Sequence, residues 1–143
     1  MKFLIVEDEL IIAEDIKMTV KSQGHKISGI VSSAEEAFKS IEKNEPDAIF
    51  MDIGLKGRID GIETSKIIYE NYGIRVIFLT SFFHKVPDCA HECRPHSFLI
   101  KPVIQEEIIQ AIDKIKSSYQ TSYKLQNAKQ YQQETFYSKL LSY

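Results

Sequence analysis

The chain has 143 residues and a mass of 16.5 kDa, room for one sizeable hydrophobic core and too little for a large multidomain enzyme. It is 43% hydrophobic and 27% charged, with six glycines and four prolines, which fits a folded globular protein and excludes a disordered or fibrous one. Eighteen basic against twenty acidic side chains leave a formal charge of -2, so no global positive field would draw the chain to nucleic acid.

In chain order, the first apolar run is Phe3 to Val6, closed by Glu7-Asp8. It is too short for a secretory signal or a membrane span, so a cytoplasmic protein with no membrane partner is expected, its two cysteines reduced. Residues 9–22 carry a weak helical spacing. Ile27 to Val31 is the second run. Ala34, Ala37, Phe38 and Ile41 then fall at i, i+3, i+4 and i+7, one apolar stripe of a helix, and Ser33 with Glu36 has the form of a capping box. Ala48 to Met51 is the third run and delivers Asp52. Residues 61–71 repeat the weak helical spacing. Val76 to Leu79 is the fourth run and ends in Thr80-Ser81. Residues 84–93 make a poorer helix, interrupted by Pro87 and closed before Pro95. Phe98 to Ile100 is the fifth run, ending in Lys101-Pro102, and Ile108, Ala111, Ile112 and Ile115 form a last apolar stripe.

The five runs are short, continuous and rich in β-branched and aromatic residues, as strands buried on both faces are. Strands alternating with helices imply right-handed crossovers and a parallel sheet. The predicted fold is therefore α/β, a five-stranded doubly wound parallel sheet. All 21 isoleucines lie at or before Ile115, whereas five of the seven tyrosines lie in residues 117–143, so the core is expected to end near residue 116. Domain boundaries of 1–116 and 117–143 follow, with a tail charge of +2 and a domain charge of -4. From Val103 onward there is no glycine or proline, so the last helix can run on as a C-terminal extension of up to about 60 Å at 1.5 Å per residue. Apolar spacing after Tyr119 sustains no heptad, which favours a frayed or partner-dependent helix, or a junction within a longer protein, over a coiled coil. No DNA-binding motif fits in the tail, so no direct nucleic-acid binding is expected.

In doubly wound sheets ligands bind beyond the carboxyl ends of the strands. Here those ends carry Glu7 and Asp8, Asp52, Thr80, and Lys101. Three carboxylates on one edge repel one another unless a cation sits among them. A hard divalent ion suits oxygen ligands, and Mg²⁺, which takes one or two carboxylates plus waters and phosphate, suits them best. Such a cluster fits phosphoryl transfer, with one carboxylate as nucleophile and Lys101 and Thr80 on phosphoryl oxygens. Dinucleotide and nucleotide loops are excluded: E-D-E-L stands where G-x-G-x-x-G would, and G-x-x-x-x-G-K-[ST] is absent.

The segments F-L-I-V-E-D-E, I-F-M-D-I-G-L-K-G-R-I-D-G-I-E, V-I-F-L-T-S and S-F-L-I-K-P, in this order, resemble the receiver domains of two-component response regulators over residues 2–116. The resemblance implies a flavodoxin-like receiver fold and a signalling switch rather than an enzyme. It implies that Asp52 accepts a phosphoryl group from a sensor histidine kinase or phosphotransfer protein, and that Glu7, Asp8, Asp52 and the backbone carbonyl of Gly54 hold Mg²⁺. It further implies that Thr80 and Lys101 bind the phosphoryl oxygens, that Pro102 follows a cis peptide bond, and that Phe98 is an aromatic switch. A downstream effector or output domain is implied, as is a homodimer face built from the helix at 84–93, the fifth strand and the last helix. Arg94-Pro95-His96 replaces the family's usual small residues before the fifth strand, which alters the output face and not the chemistry. Neither Gly54 nor Phe82 offers a side chain to orient water, so slow intrinsic dephosphorylation is expected. Asp60 reads as a loop or cap residue rather than a fourth metal ligand. The alternative function is a small Mg²⁺-dependent phosphohydrolase with an aspartyl nucleophile, but residues 53–60 are too short for a substrate-enclosing cap. Cys89, His91, Cys93 and His96 cluster in sequence, yet their spacing does not give the paired couples of a zinc site, and the cysteines read as small apolar residues.

Overall fold

A computed structural model describes residues 1–81 and 96–141. The strands are β1 (Lys2–Val6), β2 (Lys26–Val31), β3 (Ala48–Asp52), β4 (Arg75–Thr80) and β5 (Ser97–Ile100), and the described helices are α1 (Leu10–Ser22), α2 (Ala34–Lys43), α3 (Gly61–Tyr72) and α4 (Gln105–Leu141). All strand pairs are parallel, and the sheet order is β2-β1-β3-β4-β5. This is the expected five-stranded doubly wound sheet, and burial follows its order. The interior strands β1, β3 and β4 are buried almost throughout, whereas the edge strands β2 and β5 are only partly so. Continuous apolar runs therefore mark the positions that helices cover on both faces.

Side chains alternate across the sheet. Leu4, Val6, Ile49, Met51, Val76 and Phe78 meet Ala37 and Ile41 of α2 and Ile68 of α3 in one core cluster. Phe3, Ile5, Phe50 and Ile77 take the opposite face, where the rings of Phe3 and Phe50 stand 5.6 Å apart. The outermost pairing is irregular: Ser28 is bulged out between Ile27, opposite Phe3, and Gly29, opposite Leu4. Its hydroxyl donates to the Phe3 carbonyl at 3.3 Å, which compensates the interrupted ladder.

Helix starts follow their capping residues. Ser33 accepts from the Glu36 N–H at 3.2 Å, and the Glu36 carboxylate reaches back to the Ser32 N–H at 2.8 Å, a capping box offset by one residue. Asp60 accepts from the Glu63 N–H at 2.9 Å and so is a cap, one of the two roles, loop or cap, expected of it. Gly73, at φ 65°, closes α3 in the left-handed conformation that glycine reaches without a Cβ penalty.

The chain divides into two compact units, Met1–Ile112 and Asp113–Tyr143, and α4 begins in the first and runs through the second. In the second, Tyr123, Leu125 and Tyr131 are exposed. Among the described residues no helix is long and apolar enough to cross a membrane. The helix expected at 84–93, Phe82, Cys89, His91, Cys93, Arg94 and Pro95 lie outside the described residues. His96 is described: its backbone N–H donates to the Val76 carbonyl at 2.8 Å, continuing the β4–β5 ladder.

Candidate functional site

Strand order reverses between β1 and β3, and the residues that follow these strands converge there. One oxygen from each of Glu7, Asp8 and Asp52 lies within 4.8 Å of the others. Glu7 is 1% exposed, Asp52 is buried, and Asp8 opens to solvent. Lys101, just after β5, brings its ammonium to the same place, 2.8 Å from Glu7 Oε2 and 3.4 Å from both Asp52 Oδ2 and Glu9 Oε1. The lysine side chain is only 8% exposed, so its pairs with the buried Glu7 and Asp52 are screened far less than surface ion pairs, whereas Glu9 reaches it from solvent.

Backbone donors fix the carboxylates. The Gly54 N–H donates to Asp52 Oδ1 at 2.9 Å, and the Glu9 N–H donates to Glu7 Oε1 at 3.1 Å. The two oxygens of Asp52 are thereby distinguished, one held by the turn after β3 and the other turned to Lys101. Burial pushes the Glu7 carboxyl up to about 7; Lys101 and the Glu9 N–H pull it down, and the Asp52 charge adds to the rise. Burial also works against charge on Lys101, but Glu7, Asp52 and Glu9 together outweigh it and hold the ammonium above the ordinary lysine value.

The cluster opens into a cavity of about 250 Å³ lined by Asp8, Glu9, Asp52, Gly54, Lys56, Ser81 and Lys101. A larger groove of about 370 Å³, lined among others by Asp15, Met18, Val103 and Ile108, holds one carboxylate and no cation and lacks the makings of such chemistry. Three carboxylates in reach of one point, beside an open cavity, form an oxygen-only donor set that fits a hard divalent cation such as Mg²⁺.

The remaining expected site residues surround this cluster at different depths. Thr80 is 1% exposed, and its carbonyl accepts from the Lys101 N–H at 2.8 Å; its neighbour Ser81, rather than Thr80, lines the cavity. Phe98 is half-buried, its ring 5.6 Å from that of Phe78. The Lys101-Pro102 peptide bond is cis.

Two residues that sequence reasoning passed over belong to the site. Glu9 pairs with Lys101, although nothing in a second acid after Asp8 announces a partner 92 positions away. Gly61 opens α3 so close to β3 that a Cβ there would stand 1.9 Å from the Asp52 carbonyl oxygen and 2.9 Å from Ile53 Cα. A glycine directly after the capping Asp60 was the available signal for that approach.

Comparison with known proteins agrees with this fold. Residues 3–113 match the family model of the response regulator receiver domain. The transcriptional regulatory protein PdtaR of Mycobacterium tuberculosis is 28% identical over 113 residues, covering 78% of this chain and 55% of that protein. The sensory transduction protein LytT of Bacillus anthracis is 26% identical over 122 residues, covering 85% of this chain and 49% of that protein. The chain thus spans about half the length of these relatives. Among solved structures, the signal receiver domain of a modulated diguanylate cyclase from Desulfovibrio desulfuricans superposes with a TM-score of 0.77 at 26% identity, covering 85% of this chain and 97% of that one. A putative response regulator from Chloroflexus aurantiacus gives 0.72 at 27% identity, covering 80% and 95%. With its sheet order, its acidic strand ends and a family match over most of its length, the chain belongs to the response regulator receiver domains of two-component systems.

Proposed function

We propose that the domain is a Mg²⁺-dependent phosphoacceptor switch in which Asp52 takes a phosphoryl group from a phosphohistidine on a sensor kinase or phosphotransfer protein. The observation that carries this reading is the packing of Glu7, Asp8 and Asp52 within 4.8 Å of one another, with Lys101 paired to Glu7 and Asp52. Asp8 and Asp52, with Glu7 and the Gly54 carbonyl, would hold the ion, whose chemistry is to neutralise charge on the transferring oxygens. Asp52 is the nucleophile because it alone combines burial, a carboxylate oriented by a backbone N–H and a place on the cavity wall.

Lys101 and Thr80 would then take the oxygens of the bound phosphoryl group. The group adds a charge of about -1.5 to -2, which biases a two-state surface near Thr80 and Phe98. The half-buried Phe98, packed on Phe78, supports that place for the switch. Residues 117–143 serve as a junction to an output domain or as a partner surface, a role supported by the exposed Tyr123, Leu125 and Tyr131. The test is incubation with acetyl phosphate and Mg²⁺: the wild-type chain gains one phosphoryl group by intact mass, and Asp52→Asn gains none. Equal labelling of the variant would overturn the assignment.

A further inference from the structure

Glu9 occupies an unusual position. It is the N-cap residue of α1, where a short polar side chain ordinarily accepts from the first turn of the helix, yet its carboxylate makes no capping hydrogen bond. Instead it lies 3.4 Å from Lys101 Nζ, on the wall of the cavity that holds Asp52. Its side chain is 62% exposed, whereas that of the lysine is 8% exposed. The ammonium therefore sits among three carboxylates, of which Glu7 and Asp52 are buried and only Glu9 is free to move aside.

We propose that Glu9 is a positioning residue that restrains Lys101 in the resting state and acts as an electrostatic gate on phosphoryl entry. The inference rests on the phosphoacceptor reading above. In the transfer step an Asp52 oxygen forms a bond to phosphorus while the donor's P–O or P–N bond breaks, its electron pair leaving with acetate or imidazole. Lys101 must then turn to a phosphoryl oxygen, which means giving up a carboxylate. The exposed Glu9 gives it up at the least desolvation cost, because water can take the lysine's place on it. Until it does so, its negative charge repels an anionic donor at the cavity mouth. Neutralising Glu9 removes both restraints without disturbing the buried cluster.

The experiment compares wild type, Glu9→Gln and Glu9→Asp for phosphorylation by acetyl phosphate at saturating Mg²⁺ across a range of ionic strength. Glu9→Gln is expected to gain roughly three- to tenfold in rate at low salt, the scale of one unit charge acting on a dianion across solvent. The gain shrinks as salt screens it, and Glu9→Asp, which restores the charge, returns toward the wild-type rate. A merely structural Glu9 would move the melting temperature or nothing, and would show no salt dependence. A Glu9→Gln rate at or below wild type, or a gain independent of salt, overturns the proposal while leaving the phosphoacceptor reading intact. A wild-type chain that takes up no phosphoryl group at all overturns the phosphoacceptor reading, and this inference with it.

Discussion

Gly61 tests whether the site is set by backbone approach as much as by its side chains. Alanine at the first position of a helix ordinarily stabilises relative to glycine, by about 0.4–1 kcal/mol, because it restricts the unfolded chain. Here the added Cβ would meet the Asp52 carbonyl oxygen at 1.9 Å and its carbonyl carbon at 2.8 Å. Both are backbone atoms of a strand buried on both faces, so no side-chain rotation can relieve the clash. The start of α3 must part from the end of β3 by about 1 Å, at an overpacking cost of about 1–3 kcal/mol. The Gly61 N–H bond to the Ile53 carbonyl, 3.2 Å long, is lost in the same movement. Gly61→Ala is thus expected to lower the melting temperature where helix propensity predicts a rise. Because a 1 Å misplacement of a reacting group can cost about 100-fold, phosphorylation should fall by up to that factor. Gly54→Ala is the control, since a Cβ there would meet only the Asp52 carboxylate at an ordinary 3.5 Å. Thermal unfolding and acetyl-phosphate labelling of both variants decide the matter. A Gly61→Ala chain as stable and as reactive as wild type would refute the steric reasoning.

Mg²⁺ at ten times its dissociation constant should stabilise the domain by about 1.4 kcal/mol, and Asp8→Asn should abolish most of that shift; a melting temperature flat across a Mg²⁺ titration would contradict the metal assignment. Asp60→Ala should cost about 1 kcal/mol through its lost bond to the Glu63 N–H while leaving the Mg²⁺ response unchanged, and a weakened response would make Asp60 a ligand after all. With metal removed by EDTA, the Glu7 carboxyl, raised by burial from 4.5 to about 7, binds its proton more tightly folded than unfolded, so stability should fall as pH rises between these values. Glu7→Gln removes that dependence; identical pH profiles of the two chains would show that Glu7 titrates normally. Once phosphorylated, the domain should keep its phosphoryl group beyond seconds without a phosphatase, because Gly54 presents no side chain to orient an attacking water at Asp52.

The sequence made the sheet legible because buried parallel strands need continuous apolar runs, and four of the five runs here, all but that of β2, are followed by the residues expected at the site. Asp52 and Lys101 could be read for that reason: a charge directly after a buried strand stands at the carboxyl edge wherever the strand lies in the sheet. Other features come from contacts that no local pattern encodes. The bulge at Ser28 depends on the register of β2 against β1. The tight approach at Gly61 depends on where α3 returns to the sheet. The Glu9 to Lys101 pair joins residues at opposite ends of the domain's sequence, and Glu9 alone looks like any exposed acid at a helix start.

How a charge placed at Asp52 could reach the surface follows from what is fixed around Lys101. Its backbone N–H is bonded to the Thr80 carbonyl, so the ends of β4 and β5 are coupled and the lysine can answer a new charge only with its side chain. That side chain is already saturated by three carboxylates. A phosphoryl group on Asp52 must displace at least one of them, and the freed carboxylate with the lowest cost of hydration is Glu9, at the start of α1. Thr80, buried beside the same lysine, is the hydroxyl nearest in sequence to answer from β4, and the half-buried Phe98, three residues before Lys101 on β5, is the side chain whose packing against Phe78 that answer would alter. If Asp52 is the phosphoacceptor, the response would leave the site by two routes, one through α1 and one through β4 and β5. Glu9→Gln should open the first without touching the second, so a variant that phosphorylates faster yet leaves the environment of Phe98 unchanged before phosphorylation would separate them.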